Sequence, residues 1–271
     1  MVRLVLLCLV VSSFIACVRG ATPNGHDTEA ASVKAEQQLR AASTRPAAAL
    51  TPVEAELIAH GPRTERRIAL TFDACTTRNV SQYDARITRE LVSANAKATI
   101  FLGGGWAKEE ADHVKELAAN PLFELGNHSY THPHMARIVD AKRLDEELLK
   151  TQSEVFELTG QTPRLFRPPY GEYNERLVKA AAQAGLTTVE YDLPSGDPDQ
   201  HATKERLVEW VLRMARPGSI IVMHVNHTQF HTAEALPAII SGLRDGGYQL
   251  VTVGELLREE HALGGDGGTE L

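Results

Sequence analysis

Cysteine is scarce in this chain: there are three in 271 residues, and Cys8 and Cys17 both fall within the first twenty. If that leader is removed, Cys75 stands alone and no internal disulfide can form. Stability must then come from a packed core, for which 43% apolar residues are ample. Long apolar runs are also missing. The most apolar stretch, Leu4 to Val18, is interrupted by Ser12 and Ser13 and is too short for a permanent membrane span. Basic charge is in deficit, with 28 Lys and Arg against 35 Asp and Glu for a net of -7. Losing Arg3 and Arg19 with residues 1–20 leaves 26 basic against 35 acidic residues, a net of -9. Such a chain does not seek polyanions, which disfavours nucleic acid as a partner.

What is present begins with a secretory pattern. Arg3, the apolar stretch and the small residues around Val18-Arg19-Gly20-Ala21 read as a signal peptide over residues 1–20, and so as a secreted or periplasmic protein. Phe14-Ile15-Ala16-Cys17 partly resembles a bacterial lipoprotein box, which leaves a lipid anchor at Cys17 as an alternative. Residues 21–52 are rich in Ala, Thr, Ser and Pro and poor in large apolar residues, the composition of a flexible tether. A folded domain is expected over 53–260, with a Gly-rich flexible tail over 261–271. No motif speaks to oligomeric state.

Within the domain, short β-type runs alternate with amphipathic helical stretches. Strands are expected at Arg67 to Phe72, Ala98 to Leu102, Leu122 to Leu125, Leu165-Phe166, Thr187 to Asp192, Ser219 to His224 and Gln249 to Val253. Helices are expected at Ser81 to Ala94, Glu109 to Ala119, Ala141 to Thr159, Asn174 to Ala184, Thr203 to Ala215 and Thr232 to Arg244. This alternation specifies an α/β fold with a mostly parallel sheet. In such sheets functional residues gather at the carboxyl ends of the strands. The polar residues expected there are Asp73, His128 with His132, Arg167 with Tyr170, Asp192 with Asp197, and His224.

Each of these segments has a chemistry and a plainer alternative. His128-Ser-Tyr-Thr-His132 is an H-x-x-x-H pair; on one helical turn both imidazoles reach a single divalent metal, and otherwise they are two solvated histidines. Asp73 ends an apolar strand, as a ligand, a base or a turn cap. In Arg167-Pro168-Pro169-Tyr170-Gly171 the prolines fix the backbone, holding Arg167 to grip a carboxylate and presenting the Tyr170 N–H rigidly; the alternative is a stiff surface loop. His224 closes the buried run Ile220-Ile221-Val222-Met223 and titrates in the right range for a proton donor, although strand-end histidines are often structural. Trp106, after three glycines, suits either a sugar subsite or the core.

In this order and spacing, Thr71-Phe72-Asp73, His128 to His132, Arg167 to Gly171, Asp192 to Asp197 and Ile220 to His224 resemble the polysaccharide deacetylases, the NodB-homology carbohydrate esterases. The resemblance covers roughly Arg67 to Leu257. It implies a distorted (β/α) barrel and metal-assisted hydrolysis of N-acetyl groups on a glycan such as peptidoglycan or chitin-like oligomers. By position, His128 and His132 match the metal ligands, with zinc usual in the family and cobalt or nickel sometimes found. Asp73 matches the general base, Arg167 the residue orienting it, and Tyr170 the backbone donor to the oxyanion. His224 matches the general acid and Asp197 the carboxylate tuning it.

The chain also lacks something the family usually has. A second aspartate, the third metal ligand, is expected after Asp73, and Ala74 stands there; a methyl group cannot coordinate. Cys75 can turn inward as a thiolate ligand, Asp73 can pass from base to ligand, or Asp197 or substrate can fill the position. Pro194 and Pro198 replace an aspartate and a tryptophan common in the family, which bears on pocket shape. Two further readings follow: a catalytically silent glycan-binding relative, or a deacylase for another amide or an O-acetyl ester.

Overall fold

The structure, a computed structural model, describes residues 51–77 and 82–263. The expected leader with Cys17, nearly all of the expected tether, and the tail from residue 264 lie outside the described residues. Among the described residues no helix is long and apolar enough to cross a membrane.

The strands are β1 (Leu57–Ile58), β2 (Arg67–Ala74), β3 (Ala98–Leu102), β4 (Phe123–Asn127), β5 (Leu165–Phe166), β6 (Thr187–Val189), β7 (Leu193–Pro194), β8 (Ile220–His224) and β9 (Gln249–Val251). The helices are α1 (Ala85–Ser93), α2 (Gly104–Glu109), α3 (Ala111–Ala119), α4 (Ala141–Thr159), α5 (Glu175–Gln183), α6 (Lys204–Met214), α7 (Thr232–Asp245) and α8 (Val253–Leu263). All nine strands belong to one parallel sheet, ordered β1-β6-β5-β4-β3-β2-β8-β7 with β9 on β2. The path curls into the expected distorted (β/α) barrel, with β1 and β7 as its unpaired ends. Three links tie the β1 side to the β8 side: an isolated antiparallel bridge from His60 to Ser219, a bond from Gly61 N–H to the Gly218 carbonyl at 2.8 Å, and the Arg63–Asp192 ion pair at 2.7 Å.

The two faces of β2 show why the sequence folds this way. Ile68, Leu70, Phe72 and Ala74 belong to the apolar cluster under the helices, together with Leu91 and Ile239. Ala69 belongs to the cluster inside the curl, with Phe101 and Ile220, and period-two alternation puts Thr71 and Asp73 on that same inner face. The register then aligns strand ends: Asp73 lies beside His224, Leu102 beside Asn127, and Asn127 beside Phe166. Residues that follow those ends, His128 and Arg167, emerge on one rim.

Several expectations are corrected. Asp192 is not on the rim: its carboxylate accepts from the Ile220 N–H at 2.9 Å and pairs with Arg63, so it sits at the start of β8. The strand expected over Thr187 to Asp192 ends at Val189 as β6, and the two-residue strands β1 and β7 carry too little periodicity to be expected. An extra helix, α2, precedes α3. Its Gly104 packs so closely that a Cβ there would lie 2.4 Å from the Tyr130 ring. Trp106 on α2 is 2% exposed and joins the core beside Tyr83, so it lines no sugar subsite.

Candidate active site

His128 and His132 do not share a helical turn. The chain after β4 is an irregular loop in which Ser129 (φ 60°) and His132 (φ 57°) both take left-handed conformations. Helix geometry yields here to side-chain hydrogen bonds to the backbone. Asn127 Oδ1 accepts from the Ser129 N–H at 2.9 Å, Ser129 Oγ accepts from the His132 N–H at 3.1 Å, and Glu147 Oε2 accepts from the N–H groups of Tyr130 and Thr131 at 2.9 and 2.8 Å. The loop still brings the imidazoles together, with ring centroids 4.9 Å apart. His128 donates Nδ1–H to the Arg167 carbonyl at 2.8 Å, which turns Nε2 toward Cys75; burial pulls its pKa down, but Asp73 and Cys75 carry it above its ordinary value.

Cys75 faces these histidines. One donor atom each from Cys75, His128 and His132 lie within 4.8 Å of one another, and Sγ is 3.7 Å from His128 Nε2. Burial pushes the thiol's pKa up, but hydrogen bonding to His128, His132, His224 and His227 outweighs it and holds the thiol well below its ordinary range. The Cys75 backbone is fixed by Asn226, which donates Nδ2–H to its carbonyl at 2.8 Å and accepts from its N–H at 3.3 Å. A thiolate beside two imidazoles is a donor set that fits a divalent metal of zinc type. Of the other ligands considered, Asp73 places Oδ2 3.8 Å from His128 Nε2, while Asp197 is committed elsewhere. Ala74 is fully buried on the helix-facing side of β2.

Asp73 is gripped from behind. Arg167, fully buried, donates from Nη1 to Asp73 Oδ1 at 2.9 Å and to Thr71 Oγ1 at 2.7 Å, and its guanidinium lies 4.1 Å from the Phe101 ring centroid. Across the rim, Asp197 accepts from the His224 N–H at 2.8 Å, from Thr232 Oγ at 2.7 Å and from Ser195 Oγ at 3.1 Å. Its Oδ1 meets His224 Nδ1 at 3.0 Å. Burial pulls the His224 pKa down, yet the bond to Asp197, with Cys75 assisting, carries it well above its ordinary value.

Asp73, Cys75, His128, His132, His224 and Tyr170 line one cavity of about 960 Å³, with Asp197, Pro194 and Pro198 in the same wall; Arg167 stands behind it. Tyr170 holds a left-handed conformation (φ 63°) between the two prolines and Gly171, strain of the kind that collects at functional sites. Its ring stacks on that of His134, with centroids 4.1 Å apart. The same cavity is lined by a second stack the sequence did not single out, His227 on Phe230 at 4.6 Å. The signal was available as a His/Phe cluster immediately after His224. Glu147 and Asn226 were missed because each acts on backbone groups distant in sequence. The cavity thus brings together a Cys–His–His group, a fixed carboxylate, an imidazole whose pKa is raised by Asp197, and aromatic walls suited to sugar faces.

Known proteins resemble this chain in sequence and fold. The polysaccharide deacetylase family model matches residues 60–189. The chain is 30% identical over 228 residues to the uncharacterized protein YlxY of Bacillus subtilis, covering 84% of this chain and 69% of that one. It is 32% identical over 203 residues to a peptidoglycan-N-acetylglucosamine deacetylase of Bacillus cereus, covering 74% and 92% respectively. Among solved structures, a wild-type CE4 family pseudoenzyme from Bacillus anthracis, BA3943, superposes with a TM-score of 0.68 at 30% identity, covering 75% of this chain and 69% of that one. A mutant of BA3943 described as having restored enzymatic activity gives 0.69 at 31%, covering 75% and 72%.

Proposed function

Since the chain belongs to the polysaccharide deacetylase family, hydrolases of carbon–nitrogen bonds, we propose that it removes N-acetyl groups from N-acetylglucosamine-containing glycan, peptidoglycan or chitin-like oligomers, releasing acetate. Such a substrate lies outside the cytoplasm, in keeping with the leader read over residues 1–20. The observation that carries the reading is one cavity holding an Arg167-anchored carboxylate and an Asp197-anchored imidazole on either side of a Cys–His–His group.

Cys75, His128 and His132 would hold the ion, zinc by the softness of the donors, with cobalt or nickel as alternatives. When bound, such an ion supplies Lewis acidity toward the acetyl carbonyl and the attacking water. Asp73 takes a proton from that water, and Arg167 keeps the carboxylate oriented. The Tyr170 N–H stabilises negative charge on the former carbonyl oxygen. His224, carrying its proton because of Asp197, delivers it to the departing amine nitrogen as the carbon–nitrogen bond breaks. The products are acetate and a free amino sugar.

A second reading, a silent glycan-binding relative, is favoured by Ala74 and by the likeness to BA3943. One experiment separates the two: metal content of the purified protein together with acetate release from N-acetylglucosamine oligomers and peptidoglycan, before and after chelation, with His128→Ala as control. Stoichiometric metal and His128-dependent acetate support the deacetylase. No release with zinc, cobalt or nickel supplied overturns it. The cobalt-loaded protein adds a test of the ligand set, since a thiolate-to-cobalt absorption band that vanishes in Cys75→Ser assigns Cys75 to the ion.

A further inference from the structure

Glu190, just beyond the end of β6, is 5% exposed, and its Oε1 has no hydrogen-bond partner in the protein. A buried carboxylate without partners is costly in its ionised form. It lies under the 168–171 loop: a Cβ added to Gly171 would be 3.4 Å from its Oε2. The groups facing it are Arg167 from the end of β5, Asp73 from β2, His128 from the loop after β4, and Tyr191 beside it in the chain.

Arg167 is thus shared unequally between two carboxylates. Its Nη1 serves Asp73 and Thr71, while Nη2 donates to the backbone carbonyl of Glu190 at 3.3 Å and not to the carboxylate. Its Nε, also buried, has no partner. One guanidinium with two ionised carboxylates in a desolvated site carries a net negative charge, and the carboxylate with fewer hydrogen bonds is the one that takes up a proton.

We propose that Glu190 is a positioning residue that governs, through its protonation, how firmly Arg167 holds Asp73. Neutral Glu190 leaves the guanidinium to Asp73; ionised Glu190 offers it a second anion that competes with Asp73. Burial is the main cause that pushes the Glu190 pKa up, to about 7, against the pull of Arg167, so the change falls near neutrality. What Asp73 then does in catalysis rests on the deacetylase reading; the coupling of Glu190 to Arg167 does not.

The test compares wild type with Glu190→Gln, which keeps the shape of the neutral acid. In protein labelled with 15N-arginine, the Arg167 Nε–H resonance, identified by its loss in Arg167→Lys, is expected to shift through about pH 7 in wild type and to stay flat in Glu190→Gln. The pH profile of acetate release is expected to lose an alkaline step near pH 7 in the variant. An Arg167 resonance that titrates identically in both proteins overturns the proposal whether or not acetate is released. An NMR difference without any acetate release sustains the coupling and removes the deacetylase reading instead. Thermal unfolding supplies a further check. The folded state holds a proton that the unfolded chain loses above about pH 4.3, so the Glu190 contribution to wild-type stability falls as pH rises toward 7, and the variant lacks that loss. The melting-temperature gap in favour of Glu190→Gln should therefore widen between pH 4.5 and 7.5; a constant gap contradicts a buried neutral Glu190.

Discussion

His128, just past the end of β4, and His224, at the end of β8, are the same side chain on one rim, with β3 and β2 between their strands, yet their surroundings assign them opposite tasks. His128 donates Nδ1–H to a backbone carbonyl, which carries no net charge, so its Nε2 is the nitrogen turned to the site; burial pulls its pKa down, and it is Asp73 and Cys75, the groups an ion would share, that carry it above its ordinary value. His224 turns Nδ1 to the carboxylate of Asp197, which stabilises the imidazolium. A neutral imidazole suits a metal; a protonated one suits an acid. The acceptor behind the ring, more than the ring's place on the rim, decides which it becomes.

The comparison can be broken most severely on the metal side. His128→Ala should cost more than about 100-fold in metal affinity, beyond the loss seen when only an outer partner is removed, and should abolish acetate release. Metal content after dialysis and a metal titration check this. If the variant binds metal as wild type does, His128 is not a ligand.

On the acid side, Asp197→Asn should lower turnover by about 100-fold or more and move the alkaline limb of the pH–rate profile to lower pH, because an unaided His224 loses its proton sooner. The same pair contributes to stability with a definite sign. Its folded-state pKa is raised, so the contribution is present below about pH 6.5 and is lost as pH rises through the folded value. The melting-temperature advantage of wild type over Asp197→Asn should therefore be largest at acidic pH and shrink on the alkaline side.

Smaller changes sharpen the contrast. Glu147→Gln keeps acceptor capacity at one oxygen but loosens the loop joining His128 to His132, and should weaken metal binding by about 10-fold while leaving the His224 limb in place. Metal affinity and the pH profile, measured together, separate the two effects. Thr232→Val removes one donor to Asp197 and should cost about 1 kcal/mol in chemical denaturation, with a slight downward shift of the His224 limb. Metal affinity should not move.

How much of this was legible in advance depended on the range of the interactions. The expected spans of β3, Ala98–Leu102, and of α4, Ala141–Thr159, agree with the structure, because five consecutive buried residues and a 19-residue amphipathic run ending at Gly160 are strong local signals. Asp73, His128, Arg167 and His224 were found because parallel strands deliver their carboxyl ends to one rim. Asp192 was misplaced because nothing local distinguishes a carboxylate at the rim from one at the start of the next strand. The H-x-x-x-H pair was given a helix because spacing alone suggests one, while the Glu147 anchor that prevents it lies in α4, more than a dozen residues further along the chain.

The sequence by itself determined the α/β class with its mostly parallel sheet, the order of the rim motifs and the absence of an aspartate at position 74. Those follow from periodicity and residue chemistry, which act over a few residues. Only the tertiary structure decided that Cys75 meets His128 and His132, that Arg167 lies between Asp73 and Glu190, and that each histidine has the partner it has. These are pairings across dozens of residues, set by strand register and burial, and in a desolvated site the identity of the nearest acceptor determines the charge a group carries.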